Sequence, residues 1–534
     1  MINLYAYYSN HGNDDTANYW LKKLAEQGLS EAQNAYADKL SNAKRYKEAV
    51  QWYERAAKQG YACAQTHLAL CYIHGTGVEV NYQIAKQWCE KAVEQEYYAA
   101  QYFMAEFFTN NDADKYKYYK MSAKQGFADA QNVIGLYYEQ GLGNLFKNET
   151  EAVKWYKKAA EQGLAIAQSN LGNCLYEGRG CDVDKAEAVK WFRKAAEQGN
   201  MSAQNSLAIC LYNGEGCAEN KDEAFQWYKK SAEQGDAEAQ NMVGRYLVEG
   251  WGGVEKSEEE AVEWFRKAAE QGNMSAQNSL ATCLYNGEGC TENKDEAFQW
   301  YKKAAEQGDA EAQYNLAWCL YNGEGCAIDK AEAFKWCKKV AEQNIAEAQN
   351  QLGNCLYDGE GCAENKAEAF QWFRKAAEQG IKEAQQSLAV YLYNGEGCAI
   401  DKAEAFKWCK KAAEQNIAEA QNQLGRYLVE GWGGVTKNQI EAVEWYRRAA
   451  TQGYAPAQYN LGCCLETGEG CAIDEDQAEM GYRKAADQGV KEAQEALVRR
   501  RNSGSASTQV AAQSSGCLLP ILVTLAVITL MIVL

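Results

Sequence analysis

The chain has 534 residues, with 55 Lys and Arg against 73 Asp and Glu, a net charge of −18. Most of such a surface repels a phosphate backbone, so no nucleic-acid partner is expected. Only 2 prolines stand beside 15 tryptophans and 35 tyrosines, which fits a helical chain with aromatic surface for a long continuous core and makes its length one of repeats rather than of several globular domains.

Residues 1–12 have no basic start followed by an apolar stretch, so they do not read as a secretory signal. The stretch 1–29 closes in Trp20-Leu-Lys-Lys-Leu-Ala-Glu-Gln-Gly28 and is expected to be a degenerate N-terminal cap. Units at 30–60, 61–96 and 97–126 follow with uneven lengths, two of them lacking a Gly-x-Gly loop. From Phe127 the pattern becomes regular. The landmark Trp-aromatic-x-Lys-Ala-Ala-x-Gln-Gly returns at Trp155, Trp191, Trp227, Trp264, Trp300, Trp336, Trp372, Trp408 and Trp445, always 36 or 37 residues apart. A fixed period of this length marks a solenoid.

One unit shows the design. In residues 201–235, repeated almost letter for letter at 274–308, Ala203, Leu207, Cys210 and Leu211 fall at helical spacing and Gly214 and Gly216 stop the run. This is helix A. Residues 222–235 open with acids, end in lysines and Gly, and place Ala224, Trp227, Tyr228, Ser231 and Ala232 on one face. This is helix B, and small Ala208 and Ala232 are expected to make room for Trp227 and Leu207. Neither helix can bury its stripe alone, so the hairpins must stack.

The loops carrying Trp251-Gly-Gly and Trp432-Gly-Gly each hold one extra residue, and the Trp is expected to fold over the adjacent helix. The last unit has Gly481 where the landmark Trp should stand. The repeats are bounded at 30–489, with a charged closing helix at 490–501 and a polar, flexible linker at 502–516. Residues 517–534, CLLPILVTLAVITLMIVL, are 18 residues without a charge. As a helix they would reach about 27 Å, enough for a transmembrane tail anchor, and Arg499, Arg500 and Arg501 before them favour repeats that face the cytoplasm.

The combination AEAQ-x-x-L-G/A-x-x-L-Y-x-G-x-G followed by x-A-x-x-W-Y/F-x-K-A-A-E-Q-G resembles the Sel-1-like repeat, a relative of the tetratricopeptide repeat. Leu171, Gly172, Tyr176, Gly178, Gly180, Ala188, Trp191, Ala195 and Ala196 carry it in one unit. The resemblance implies an all-α fold, a right-handed α/α superhelical solenoid of about 13 helix-hairpin repeats, used as a scaffold for protein complexes, here with a C-terminal transmembrane helix.

Most of the 20 cysteines sit at two repeat positions, Cys174, Cys210, Cys283, Cys319, Cys355 and Cys464 in helix A and Cys181, Cys217, Cys290, Cys326, Cys362 and Cys471 seven residues on. Both are expected to be reduced, apolar fillers. The disulfide-bearing secreted branch of the family joins the end of helix B to the next helix A, at positions held here by Ala232 and Gln240. With three histidines, no metal knuckle and no phosphate loop, no cofactor, metal or catalytic residue is expected. Hydrolase or thiol redox chemistry is the alternative reading, and the paired thiols are what favour it.

A partner surface follows from the helix wheel. Counting back from the first loop Gly, the residues at eleven, seven, four and three form the buried stripe, and those at nine, five and two point the other way. Position nine carries Asn205, Asn241, Asn278, Asn350 and Asn422, and position two Tyr212, Tyr285, Tyr321, Tyr357 and Tyr393. Position five varies between otherwise near-identical repeats and includes Arg245, Trp318 and Arg426. In the tetratricopeptide relatives the inner helix lines a concave groove, so the resemblance implies that this face holds a protein or peptide segment. The arginines suit an acidic one.

Overall fold

The computed structural model describes Leu4 and residues 14–504, with side chains to residue 500. Among these residues the fold is an all-α solenoid of 28 helices with two short 3-10 turns and no strand. The chain divides into two compact units, residues 1–309 and 310–534. The expected cytoplasm-facing anchor, 517–534, lies outside the described residues, and none of the described helices is long and apolar enough to cross a membrane.

In each unit every helix A packs on its own helix B, and each helix B on the next helix A. Helix A Met201–Asn213 ends at Gly214, whose φ of 69° only a residue without Cβ adopts cheaply. Helix B Lys221–Glu233 starts under the side chain of Asn220, which accepts the N–H of Glu223. Asn148, Asn200 and Asn273 cap helices in the same way. In the second unit a single apolar core runs from Ala317 to Cys464.

The helix A stripe is buried as expected, with Ala203, Leu207, Cys210 and Leu211 between 0% and 3% exposed. The helix B face of Ala224, Trp227, Tyr228, Ser231 and Ala232 is buried as expected, and of its two rings it is the second that fills the core in most repeats. Tyr228 is 2% exposed, and its equivalents Tyr156, Phe192, Phe265, Phe373 and Tyr482 are equally enclosed. The small residue in helix A makes room for this ring, since a Cβ on Gly172 would meet the edge of Phe192 at 2.5 Å. The landmark tryptophans sit one position back, on the rim. Trp227 and Trp445 are buried and the other seven half-buried.

Candidate functional site: the helix A face

Helix A is enclosed on more of its circumference than the wheel allowed, because it is flanked by helices B on one side and by neighbouring helices A on another. Position ten is a buried glutamine throughout the regular repeats, and it forms a ladder. Gln204 donates to the carbonyl of Ala196 at the end of the preceding helix B (3.2 Å) and accepts from Gln234 of its own helix B (2.7 Å). The same pair of bonds recurs at Gln168, Gln240, Gln277, Gln385, Gln421 and Gln458. Gln240 thus ties itself to Ala232 by a 3.1 Å hydrogen bond at the two positions where the bridged branch of the family was expected to carry cystine.

This burial corrects the expected position of the asparagines. Asn205, Asn241, Asn278 and Asn422 are 6% to 8% exposed, and Asn350 is half-buried. Two of them reach the next helix A. Asn205 donates to Glu238 (3.2 Å), and Asn422 accepts from Asn460 (2.8 Å), as Asn132 does from Asn170 (2.9 Å). The amides pack neighbouring repeats together rather than lining an open face.

The tyrosines at position two are half-buried. A lysine at the start of the same repeat's helix B covers each ring, at 5.3 Å for Tyr212, 4.9 Å for Tyr285, Tyr321 and Tyr393, and 4.8 Å for Tyr357. Where the next loop carries Gly-Glu-Gly, its glutamate joins them. Tyr357 donates to Glu396 (3.2 Å), as does Lys366 (3.1 Å). The phenols therefore bind repeat to repeat with one edge and leave the other to solvent.

Position five does reach solvent. Arg245 is exposed, Trp318 is 40% exposed and Arg426 half-exposed. Neither arginine forms an ion pair among the described residues. Each lies over the Trp of its own loop, Arg245 Cζ at 5.2 Å from the Trp251 ring and Arg426 Cζ at 5.1 Å from that of Trp432. Trp251 in turn leans on Tyr212 and Tyr246, and Trp432 on Tyr393 and Tyr427, with ring centroids 5.4 to 6.0 Å apart. The two loop tryptophans fold over the adjacent helices as expected, and each has an arginine over its ring. The arginines are therefore not isolated cations.

Trp318 belongs to a repeat that departs from its neighbours at two packed positions. Tyr314 replaces the asparagine at position nine and Cys337 replaces the core ring, and between them lies a cavity of about 20 Å³ bounded also by Ala317, Tyr321 and Cys355. Each change was visible in the sequence. That both changes border one cavity was not, because it depends on how helix A packs on helix B.

The paired cysteines are thiols in a common arrangement. Cys217 donates to the carbonyl of Cys210 (3.6 Å), and the same contact joins Cys181 to Cys174, Cys290 to Cys283, Cys326 to Cys319, Cys362 to Cys355 and Cys471 to Cys464 at 3.4 to 3.6 Å. Burial pushes Cys174, Cys210, Cys283 and Cys464 up to about 12 and Cys355 to about 11. Thiols held so far from the thiolate are poor nucleophiles. Among the described residues no group of acidic, histidine and cysteine side chains is placed to hold a metal ion.

A family model for the Sel1 repeat matches thirteen times, beginning at residues 3–29 and 30–61 and ending at 418–454 and 455–490. The crystal structure of a protective antigen of uropathogenic Escherichia coli, described as displaying an SLR fold, is similar with 30% identity and a TM-score of 0.62, over 88% of this chain and 99% of that one. A Sel1 repeat protein from Oxalobacter formigenes is 28% identical over 61% of this chain and 93% of its own, with a TM-score of 0.44. No curated protein sequence matches the chain.

Proposed function

The chain belongs to the Sel1 repeat family, and on that footing we propose that it is a scaffold which holds a protein segment along the helix A face and is tethered to a membrane by residues 517–534. Solenoids of this family are typical of protein–protein interaction scaffolds. The observation that carries the reading is position five. It is a place on helix A where side chains reach solvent, and it is also where otherwise near-identical repeats differ. A position kept for packing would have been copied unchanged, as the Gln204 ladder is.

On a chain of net charge −18, Arg245 and Arg426, each over a loop tryptophan and without an ion pair among the described residues, offer donors to a carboxylate, so the segment bound is acidic. Trp318 supplies the aromatic anchor that interfaces favour. The tether is supported by the 18 uncharged residues of 517–534 and by the arginines that precede them, which also favour repeats facing the cytoplasm. The test is a full-length variant combining Trp318→Ala, Arg245→Glu and Arg426→Glu. Its melting curve should match wild type while proximity labelling in cells loses the neighbours that wild type marks. An unchanged set of neighbours would sink the proposal.

A further inference from the structure

Nine landmark tryptophans sit in the same setting, and the tenth place is empty. A lysine or arginine three residues on covers every one of the nine rings, from 3.8 Å at Trp300 to 4.8 Å at Trp336. In five repeats the indole N–H donates to the glutamate four residues back, as Trp227 does to Glu223 (3.2 Å) and Trp445 to Glu441 (3.5 Å). In the last repeat Gly481 takes the place of the Trp, and an open cleft of about 760 Å³ lies there. Ala450 and Thr451 of the preceding helix B, Leu461 and Leu465 of helix A, and Gln477 and Lys484 of the repeat's own helix B line it. The two partners of the missing indole remain, since Lys484 stands where Arg448 covers Trp445 and Gln477 where Glu441 accepts its N–H.

The chain cannot fill this cleft from residue 481. A Cβ there would lie 2.9 Å from the carbonyl oxygen of Gln458, so the backbone approach that glycine permits keeps a side chain out. An occupant has to come from elsewhere. The repeats themselves specify its chemistry: a flat aromatic ring for the cation, an N–H for the amide oxygen and an apolar edge for the two leucines. The cleft volume lies in the range of ligand sites, about 300 to 1,000 Å³.

We propose that the Gly481 cleft receives a tryptophan side chain of a partner polypeptide, its ring beneath Lys484 and its N–H directed at the Gln477 side-chain oxygen. The site lies on helix B at the end of the repeats and stands whether or not the helix A face binds a segment.

The probe is N-acetyl-5-fluorotryptophanamide, titrated with the full-length protein and followed by its fluorine resonance. Saturable broadening is expected, reversed by unlabelled N-acetyltryptophanamide and not by N-acetylleucinamide. Lys484→Ala and Gln477→Ala, both at exposed positions, should each weaken binding about two- to fivefold. Thr451→Trp, which fills the cleft from its opposite wall, should abolish it. A response that never saturates, equal displacement by the leucine amide, or wild-type binding by Thr451→Trp would overturn the proposal. Should Thr451→Trp lose its helical circular dichroism, the Lys484→Ala, Gln477→Ala double variant decides, and unchanged affinity there is an equally negative result.

Discussion

Replacing Gln204 by Met tests the ladder that ties one repeat to the next. The side chain is 4% exposed and similar in size to methionine, so packing is kept while two hydrogen bonds go, to Ala196 O and from Gln234. The Ala196 carbonyl still accepts from Gly199 N–H and Gln234 still reaches the Lys230 carbonyl, so no group is orphaned outright. Two bonds at about 0.5 to 1.5 kcal/mol each give a cost of about 1 to 3 kcal/mol. In a stack whose stability is the sum of repeat and interface contributions, that cost stays near the site. Hydrogen exchange should therefore quicken about 5- to 150-fold in helices Lys185–Glu197, Met201–Asn213 and Lys221–Glu233. The helices after residue 310 should not change. Gln234→Ala removes the outer bond and that to the Lys230 carbonyl and leaves the buried Gln204 oxygen without its donor, so it should cost about 1 to 3 kcal/mol as well. If Gln204→Met protects its neighbours as well as wild type does, the glutamines are passengers and the strict AEAQ and EQG spacing has another cause.

Tyr228→Ala should cost about 3 to 5 kcal/mol of local stability and Trp372→Ala, on the rim, clearly less; denaturant melts that reverse this order would restore the tryptophan to the core. An unfolded thiol titrates near about 8.5, while Cys210 is pushed up to about 12. Above that lower value the unfolded chain sheds a proton that the folded one keeps, so stability is full below it and falls as pH rises toward the folded value. Cys210→Val with Cys217→Val should flatten this alkaline loss and melt near wild type at neutral pH; a mass spectrum showing a Cys210 to Cys217 bridge in native protein would defeat the premise. Removing residues 517–534 should release the protein from membrane pellets with its helical signal intact. Pelleting of the shortened chain would count against the tether, and so would protection of the repeats from protease added to sealed vesicles.

Much of this fold was legible in the sequence because a repeat prints its own restraint many times over. The glycines at 214 and 216 and the stripe of Ala203, Leu207, Cys210 and Leu211 were all placed correctly from periodicity. Trp227 is buried as expected, but seven of the nine landmark tryptophans are only half-buried. A cation covers one face of such a half-buried ring, as Lys375 does that of Trp372 at 3.9 Å, while Tyr228 and Phe192 fill the interior. The glutamine ladder left a signal in the fixed spacing of two amides, but which carbonyl each one serves depends on how adjacent repeats register.

The helix wheel failed at the asparagines for a reason that bears on the site. A wheel divides a helix into an inside and an outside, which holds for a helix lying on one surface, whereas helix A is clasped by neighbours on several. Asn205 and Asn422 point away from the leucine stripe and are buried nonetheless, because what they meet is another helix A. Position five escapes this at Arg245 and Trp318, which are exposed. Polar identity alone therefore did not separate packed positions from open ones. Variation is the better guide, because in a chain built by copying, the positions that interlock one copy with the next, such as Gln204, are kept, and it is variation at position five on which the proposed binding face rests.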